Sequence, residues 1–241
     1  MEMPLTEDTL LGGRVRLLQP RRGYRVAVDA VLLAAAVDAG PDMHVLDLGA
    51  GVGAVGLCIT HRVPHCHVVG IELQPELALL AERNAALNSV SDRVRTIVHD
   101  LARPLPQALG KFDHVATNPP YLAAAVADPS PDAIKAIATV ESSAALARWL
   151  EVATAALKPA GTLTIIHRSD RLDEIAAHLA RLNWADLTIK PLAPAARVLV
   201  QARRADRPNR REVMPLVLHR TEGGYTDEAE AILRHGQPLA F

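Results

Sequence analysis

The sequence predicts an α/β fold, a parallel sheet with helices on both faces. Apolar runs of strand length alternate with segments of helical length along most of the chain, the rhythm of βαβ units. Where the first core strand meets the next helix, the chain reads Asp47-Leu48-Gly49-Ala50-Gly51-Val52-Gly53. Such a glycine-rich turn lets a ligand approach the backbone at a helix N-terminus.

The elements follow in order. Residues 1–26 are polar and arginine-rich, with Gly12-Gly13 and Gly23 as punctuation, and carry no assigned element. Asp29 suits the N-cap of an apolar helix from Ala30 to Val37, which Gly40-Pro41 ends. Met43–Leu48 reads as a strand and Ala54–His61 as a helix. His67–Leu73 is the second strand, and Pro75 opens a helix running to Asn88. Val94–Val98 and Phe112–Thr117 are the third and fourth strands. Ser142–Leu157 reads as a helix, Thr162–Ile166 as the fifth strand and Asp170–Leu182 as a further helix. Trp184–Ile189 and Arg197–Gln201 form a closing pair of strands. Met214–His219 reads as an extra strand, and Thr226 caps a last helix with Asp227 and Glu228 in its first turn.

Two stretches break the alternation. Leu122–Val140 is alanine-rich and long for a connection, which suggests a lid or binding element. Arg203–Arg211 holds Arg203, Arg204, Arg207, Arg210 and Arg211 against Asp206.

Composition narrows the class. Aromatics are 3% against 49% apolar residues, so the core must be built from Leu, Val, Ile and Ala. The net charge of −1 excludes a strongly basic surface, so a nucleic acid would have to be met by a local patch. Cys58 and Cys66 form no CxxC and read as buried small residues. His61, His65 and His67 lack a carboxylate neighbour, and no metal site is expected. The N-terminus has no leader pattern and no apolar run reaches ~18 residues, so a cytoplasmic protein is expected.

Chemistry concentrates at Asn118-Pro119-Pro120-Tyr121, directly after the fourth strand. Two prolines and an Asn are also ordinary turn material. As a site, the turn offers the Asn118 side-chain oxygen and the Pro119 carbonyl as acceptors for both N–H groups of a planar amine. Adenine and glutamine carry such amines. Prolines remove competing backbone donors, and Tyr121 can stack on a flat group. On stacking alone, Tyr121→Phe is expected to be mild.

The glycine turn has partners. Glu72 ends the second strand, roughly 20 residues on, where an acid can hold ribose hydroxyls. Asp100 follows the third strand, and Leu73 and Leu101 stand beside these two acids. Gly51-Val52-Gly53-Ala54-Val55-Gly56 also matches a dinucleotide fingerprint, so NAD is the rival ligand. Asp47, Asp100 and the Asn118 turn have no task in that reading and favour S-adenosylmethionine (SAM).

These residues resemble a class I SAM-dependent methyltransferase, and more closely the bacterial tRNA adenine-N6 methyltransferases that modify valine tRNA beside the anticodon. Gln19–Arg25, Asp29–Ala34, Asp47–Gly53, Glu72, Asp100, Asn118–Tyr121, Pro194–Val200 and Tyr225–Ala229 carry the resemblance. It implies a Rossmann-like, seven-stranded, mostly parallel sheet. It implies one domain, with an Arg-rich segment and helix (1–40) over the cofactor, a SAM-binding core (41–204) and an extension (205–241). It places Asp47, Gly49, Ala50, Gly51, Gly53, Glu72, Leu73, Asp100, Leu101 and Asn118 at the cofactor, with Tyr24 and Asp29 nearby. Leu122 stands where the family often has an aromatic, leaving stacking to Tyr121.

A tRNA substrate is expected, with Arg21, Arg22, Arg203 and Arg204 forming one basic patch. Protein glutamine-N5 methylation uses the same turn and is the alternative. A non-catalytic subunit on this scaffold would be expected to lose one of Asp47, Glu72, Asp100 or Asn118, and all are present.

Overall fold

The computed structural model describes residues 3–23, 25–121 and 145–241. Two strands form an N-terminal hairpin, β1 (Leu5–Leu10) and β2 (Val15–Pro20). The core continues with α1 (Val28–Ala36), β3 (His44–Leu48), α2 (Ala54–Arg62), β4 (His67–Glu72), α3 (Pro75–Leu87), β5 (Val94–Val98) and β6 (Phe112–Thr117). After the segment outside the described residues come α4 (Leu146–Ala156), β7 (Leu157–Arg168), α5 (Leu172–Arg181), β8 (Asp186–Ala193) and β9 (Arg197–Arg203). Two short strands, β10 (Asn209–Glu212) and β11 (Leu216–Val217), and a last helix, α6 (Asp227–His235), complete it.

The seven expected strands lie in the order β5-β4-β3-β6-β7-β9-β8, and β9 alone among them runs opposite to the other six. β10 and β11 both pair with β8 in parallel and extend the sheet to nine strands. Strand order reverses between β3 and β6, which opens a crevice at their carboxyl ends.

Side-chain alternation divides the core between the two faces. Val45 of β3 joins Leu32 and Leu33 of α1, Leu57 and Ile59 of α2 and Ile232 of α6. Leu46 and Leu48 turn the other way, toward Trp149 and Leu150 of α4 and Ile175 and Leu179 of α5. Ile175 and Leu179, four apart on α5, are both fully buried, the stripe a surface helix needs.

The hairpin was not legible because nothing in β1 alternates cleanly; it is held from outside. Asn84 of α3 accepts from the Leu18 N–H (2.8 Å) and donates to the Leu18 and Val52 carbonyls (both 2.9 Å). One turn later, Asn88 accepts from the Arg16 N–H (2.9 Å) and donates to its carbonyl (2.7 Å). Four helical residues rise about 6 Å and two strand residues about 6.7 Å, so the two carboxamides act as a partner strand for β2. Most arginines of this stretch are likewise occupied: Arg14 on the Arg234 carbonyl at the end of α6, Arg16 with Glu7, and Arg25 with Asp8.

Asp29 is not the expected N-cap. Ala27 holds that position without a side-chain bond, and Asp29 lies in the first turn, with its carboxylate directed elsewhere. Thr226 does cap its helix, accepting from the Ala229 N–H. Among the described residues, no helix is long and apolar enough to cross a membrane, and no cluster of His, Cys, Asp or Glu could hold a metal ion.

Candidate active site

The crevice at the ends of β3, β4 and β6 holds a cavity. Asp47, Gly49, Ala50, Gly51, Glu72, Leu73, Leu101, Asn118 and Pro120 line it, together with Trp149 of α4. Three lining residues carry a buried polar atom with no hydrogen-bond partner among the described residues: Asp47 Oδ2, His99 Nε2 and Asn118 Oδ1. Buried polar groups are nearly always paired, so three orphans on residues of one cavity wall make these residues candidate partners for a polar ligand.

The glycine turn is shaped by its neighbours. Gly49 has φ +76°, and a Cβ there would stand 2.7 Å from the Trp149 ring. The Gly51 N–H, at φ +55°, donates to the Glu72 carboxylate at 2.8 Å. Glu72 also accepts from the Gln74 N–H at 2.9 Å. Burial raises the Glu72 pKa, opposed by these backbone bonds. Asp47 is pushed up to about 7 by burial and then by the charge of Glu72. A cationic ligand group would relieve both acids.

The Asn118 turn leaves β6 beside this cavity. Asn118 and Pro120 contribute to the wall, while Pro119 is buried and does not. Tyr121 lies just outside, its hydroxyl donating to Asp29 at 2.6 Å. Thr117 anchors the end of β6, donating to the Leu48 carbonyl at 3.1 Å.

Several expectations need adjustment. Gly53 opens α2 with φ +86° and shapes the turn without lining the cavity. Asp100 is flanked by lining residues His99 and Leu101, and its Oδ1 accepts from the Ala102 N–H at 2.9 Å. Asp29 reaches Tyr121 instead of the cavity, whose wall there is Val26 and Ala30. Tyr24 and the Leu122–Val140 segment lie outside the described residues. Sequence reasoning missed Trp149, His99, Gln74 and Leu77; Trp149 carried a signal, as one of two tryptophans in an aromatic-poor chain.

The single basic patch is corrected. Arg197 pairs with Arg168 at the carboxyl end of β7, whereas Ala202 pairs with Leu163. Six residues of extended strand, about 20 Å, therefore separate Arg197 from Arg203. Arg203 bonds Asp38 beyond the end of α1 (3.4 Å), and Arg204 lies over the Trp184 ring (5.0 Å). Both face away from the cavity end of the sheet. Arg21 and Arg22 are exposed shortly before Val26 and make no ion pair among the described residues.

A mostly parallel sheet with one reversed strand, an acid at the end of β3 and another at β4, and an Asn-Pro-Pro-Tyr turn after β6 together define a class I SAM-dependent methyltransferase. The chain belongs to the methyltransferase small domain family, whose profile matches residues 25–181. It is 32% identical over 218 residues to the tRNA1(Val) (adenine(37)-N6)-methyltransferase of Porphyromonas gingivalis, covering 85% of each chain. It is 34% identical over 168 residues to the release factor glutamine methyltransferase of Deinococcus radiodurans, covering 67% of this chain and 58% of that one. Among solved structures, a predicted O-methyltransferase from Agrobacterium tumefaciens matches with a TM-score of 0.72 at 26% identity, over 88% of this chain and 98% of that one.

Proposed function

We propose that this protein transfers a methyl group from SAM to the exocyclic N6 amine of an adenine in a tRNA, in the cytoplasm. The observation that carries this reading is the buried, unpartnered Asn118 Oδ1 in the cavity wall, three residues before Tyr121. An exocyclic amine is planar, with a delocalised lone pair. An acceptor fixed at Asn118, joined by the Pro119 carbonyl, takes its N–H groups and aims the lone pair at the methyl donor. SAM, when bound, supplies an electrophilic methyl. The protein's own residues orient the amine and exclude water, and positioning of this kind can contribute roughly 7–11 kcal/mol.

On this reading Glu72 accepts from the ribose hydroxyls, and Asp47 faces the amine of the methionine moiety. Asp100 serves the adenine amino group, with Leu73 and Leu101 along the adenine. Arg21 and Arg22 meet RNA phosphates near the cavity mouth.

Glutamine methylation remains the second reading, favoured by the 34% identity to a release factor glutamine methyltransferase. Coverage separates the two. The chain spans 85% of the tRNA-modifying relative but 58% of the glutamine-modifying one. The deciding experiment is mass spectrometry of nucleosides from total tRNA with and without the gene. Loss of N6-methyladenosine is expected, and unchanged tRNA with loss of a methylated glutamine would replace this reading with the second.

A further inference from the structure

Three separate segments hold the Tyr121 ring. Its hydroxyl donates to Asp29 Oδ2 of α1 at 2.6 Å. The same oxygen accepts from Arg197 Nε, at the start of β9, at 3.2 Å. The Arg197 guanidinium carbon stands 4.4 Å from the centre of the ring. His167 of β7 meets the ring nearly perpendicular, at 80° and 5.3 Å between centroids. Burial and the Arg171 charge hold His167 down at about 4, so at neutral pH it packs as an uncharged ring.

We propose that Arg197 and Asp29 are positioning residues for Tyr121, fixing the plane on which the target base stacks. The inference rests on the function proposed above. A guanidinium on one face of a ring requires a stacking base to take the opposite face. An unpinned phenol rotates about two side-chain bonds; one tied at its hydroxyl and covered on one face is already oriented. Arg197 is a poor phosphate anchor, because its charge is paired with Asp29 and its plane lies over Tyr121. The hydroxyl therefore has a task that stacking alone did not assign, and Tyr121→Phe is no longer expected to be mild.

The test is steady-state methyl transfer to unmodified tRNA by wild type, Arg197→Ala, Arg197→Lys, Tyr121→Phe, Tyr121→Ala and the double variant Arg197→Ala/Tyr121→Ala. Arg197→Ala and Tyr121→Phe are each expected to lower kcat about tenfold, an effect of misplacement, while SAM affinity holds. In the Tyr121→Ala background, Arg197→Ala should cost less than about twofold, the signature of coupled residues. Arg197→Lys, which keeps the pair with Asp29 but loses the planar stack, should fall between.

Equal losses from Arg197→Ala in both backgrounds would overturn the proposal. So would a slope of log affinity against log salt that is shallower by about 0.7–0.9, because that marks a lost phosphate contact. If Arg197→Ala does not fold, the same cycle with Arg197→Lys applies the same criteria. If wild type leaves tRNA unmethylated, the substrate reading fails, and the cycle is run on a glutamine-containing peptide, judged in the same way.

Discussion

The Gly51 N–H and the Glu72 carboxylate meet at 2.8 Å, so a side chain at the end of β4 holds the loop that leaves β3. Glu72 is thus a strut for the glycine turn, beside its proposed role as a ligand acceptor. Glu72→Ala leaves the Gly51 and Gln74 amides without their carboxylate and should weaken SAM binding by roughly 1–3 kcal/mol. Calorimetry with SAM and with NAD checks this. Tight NAD binding without a SAM response would return the turn to the dinucleotide reading.

The pH dependence follows from Asp47. A carboxyl raised to about 7 stabilises the fold below its unfolded value, and that contribution is lost as pH rises through about 7. The ligand-free protein should therefore melt at a lower temperature at pH 8 than at pH 6, and Asp47→Asn should flatten that difference. SAM binding should move oppositely, because its ammonium group calls for an ionised Asp47. Affinity is expected to fall by about tenfold per pH unit below neutrality. Titration calorimetry across the neutral range measures it, and a flat profile would remove Asp47 from the amine site.

On the proposed function, Asn118 acts on the substrate and not on the fold. Asn118→Ala should lower the rate about 100-fold, the cost of a misplaced reactant, with SAM affinity retained. Labelled methyl transfer to tRNA is the assay. Wild-type turnover in this variant would make the turn structural.

The two pairs of arginines should behave differently. Charge reversal at Arg21 and Arg22 should weaken tRNA binding and reduce its salt dependence by about one phosphate contact each. Reversal at Arg203 and Arg204 should leave tRNA binding near wild type. Filter binding at several salt concentrations distinguishes them.

Asn84 should be among the costliest single changes in the chain. Asn84→Ala leaves the Leu18 N–H and the Leu18 and Val52 carbonyls without their partner. Unsatisfied buried groups cost about 1–3 kcal/mol each before relaxation, and denaturant unfolding should register the loss. Asn84→Asp keeps the acceptor but not the donors and should rescue only part of it.

Much of the fold was legible because its signals are local. Phe112–Thr117 and Val94–Val98 are apolar runs of strand length and appear with the expected bounds. The glycine turn and Glu72 sit at strand ends, so spacing alone placed them at the crevice. What escaped depends on partners distant in sequence. The hairpin needs Asn84 and Asn88, and β10 is an exposed, charged strand whose pairing with β8 leaves no apolar trace. The arginine patch failed for a geometric reason: β9 runs antiparallel to β7 and β8, which carries Arg203 and Arg204 to the end of the sheet opposite the cavity.

That strand has one more consequence. β9 is fastened at both ends, Arg197 to Asp29 in α1 and Arg203 to Asp38 just beyond it. The profile match stops at residue 181, before either arginine, and the hairpin strands precede its start at 25. A fragment trimmed to the matched segment would keep the glycine turn and the Asn118 turn. It would lose the guanidinium over Tyr121 and the strand that Asn84 braces. A working fragment must therefore keep these fastenings, and the bond from Arg14 to the Arg234 carbonyl carries them on from β1 through β9 to α6.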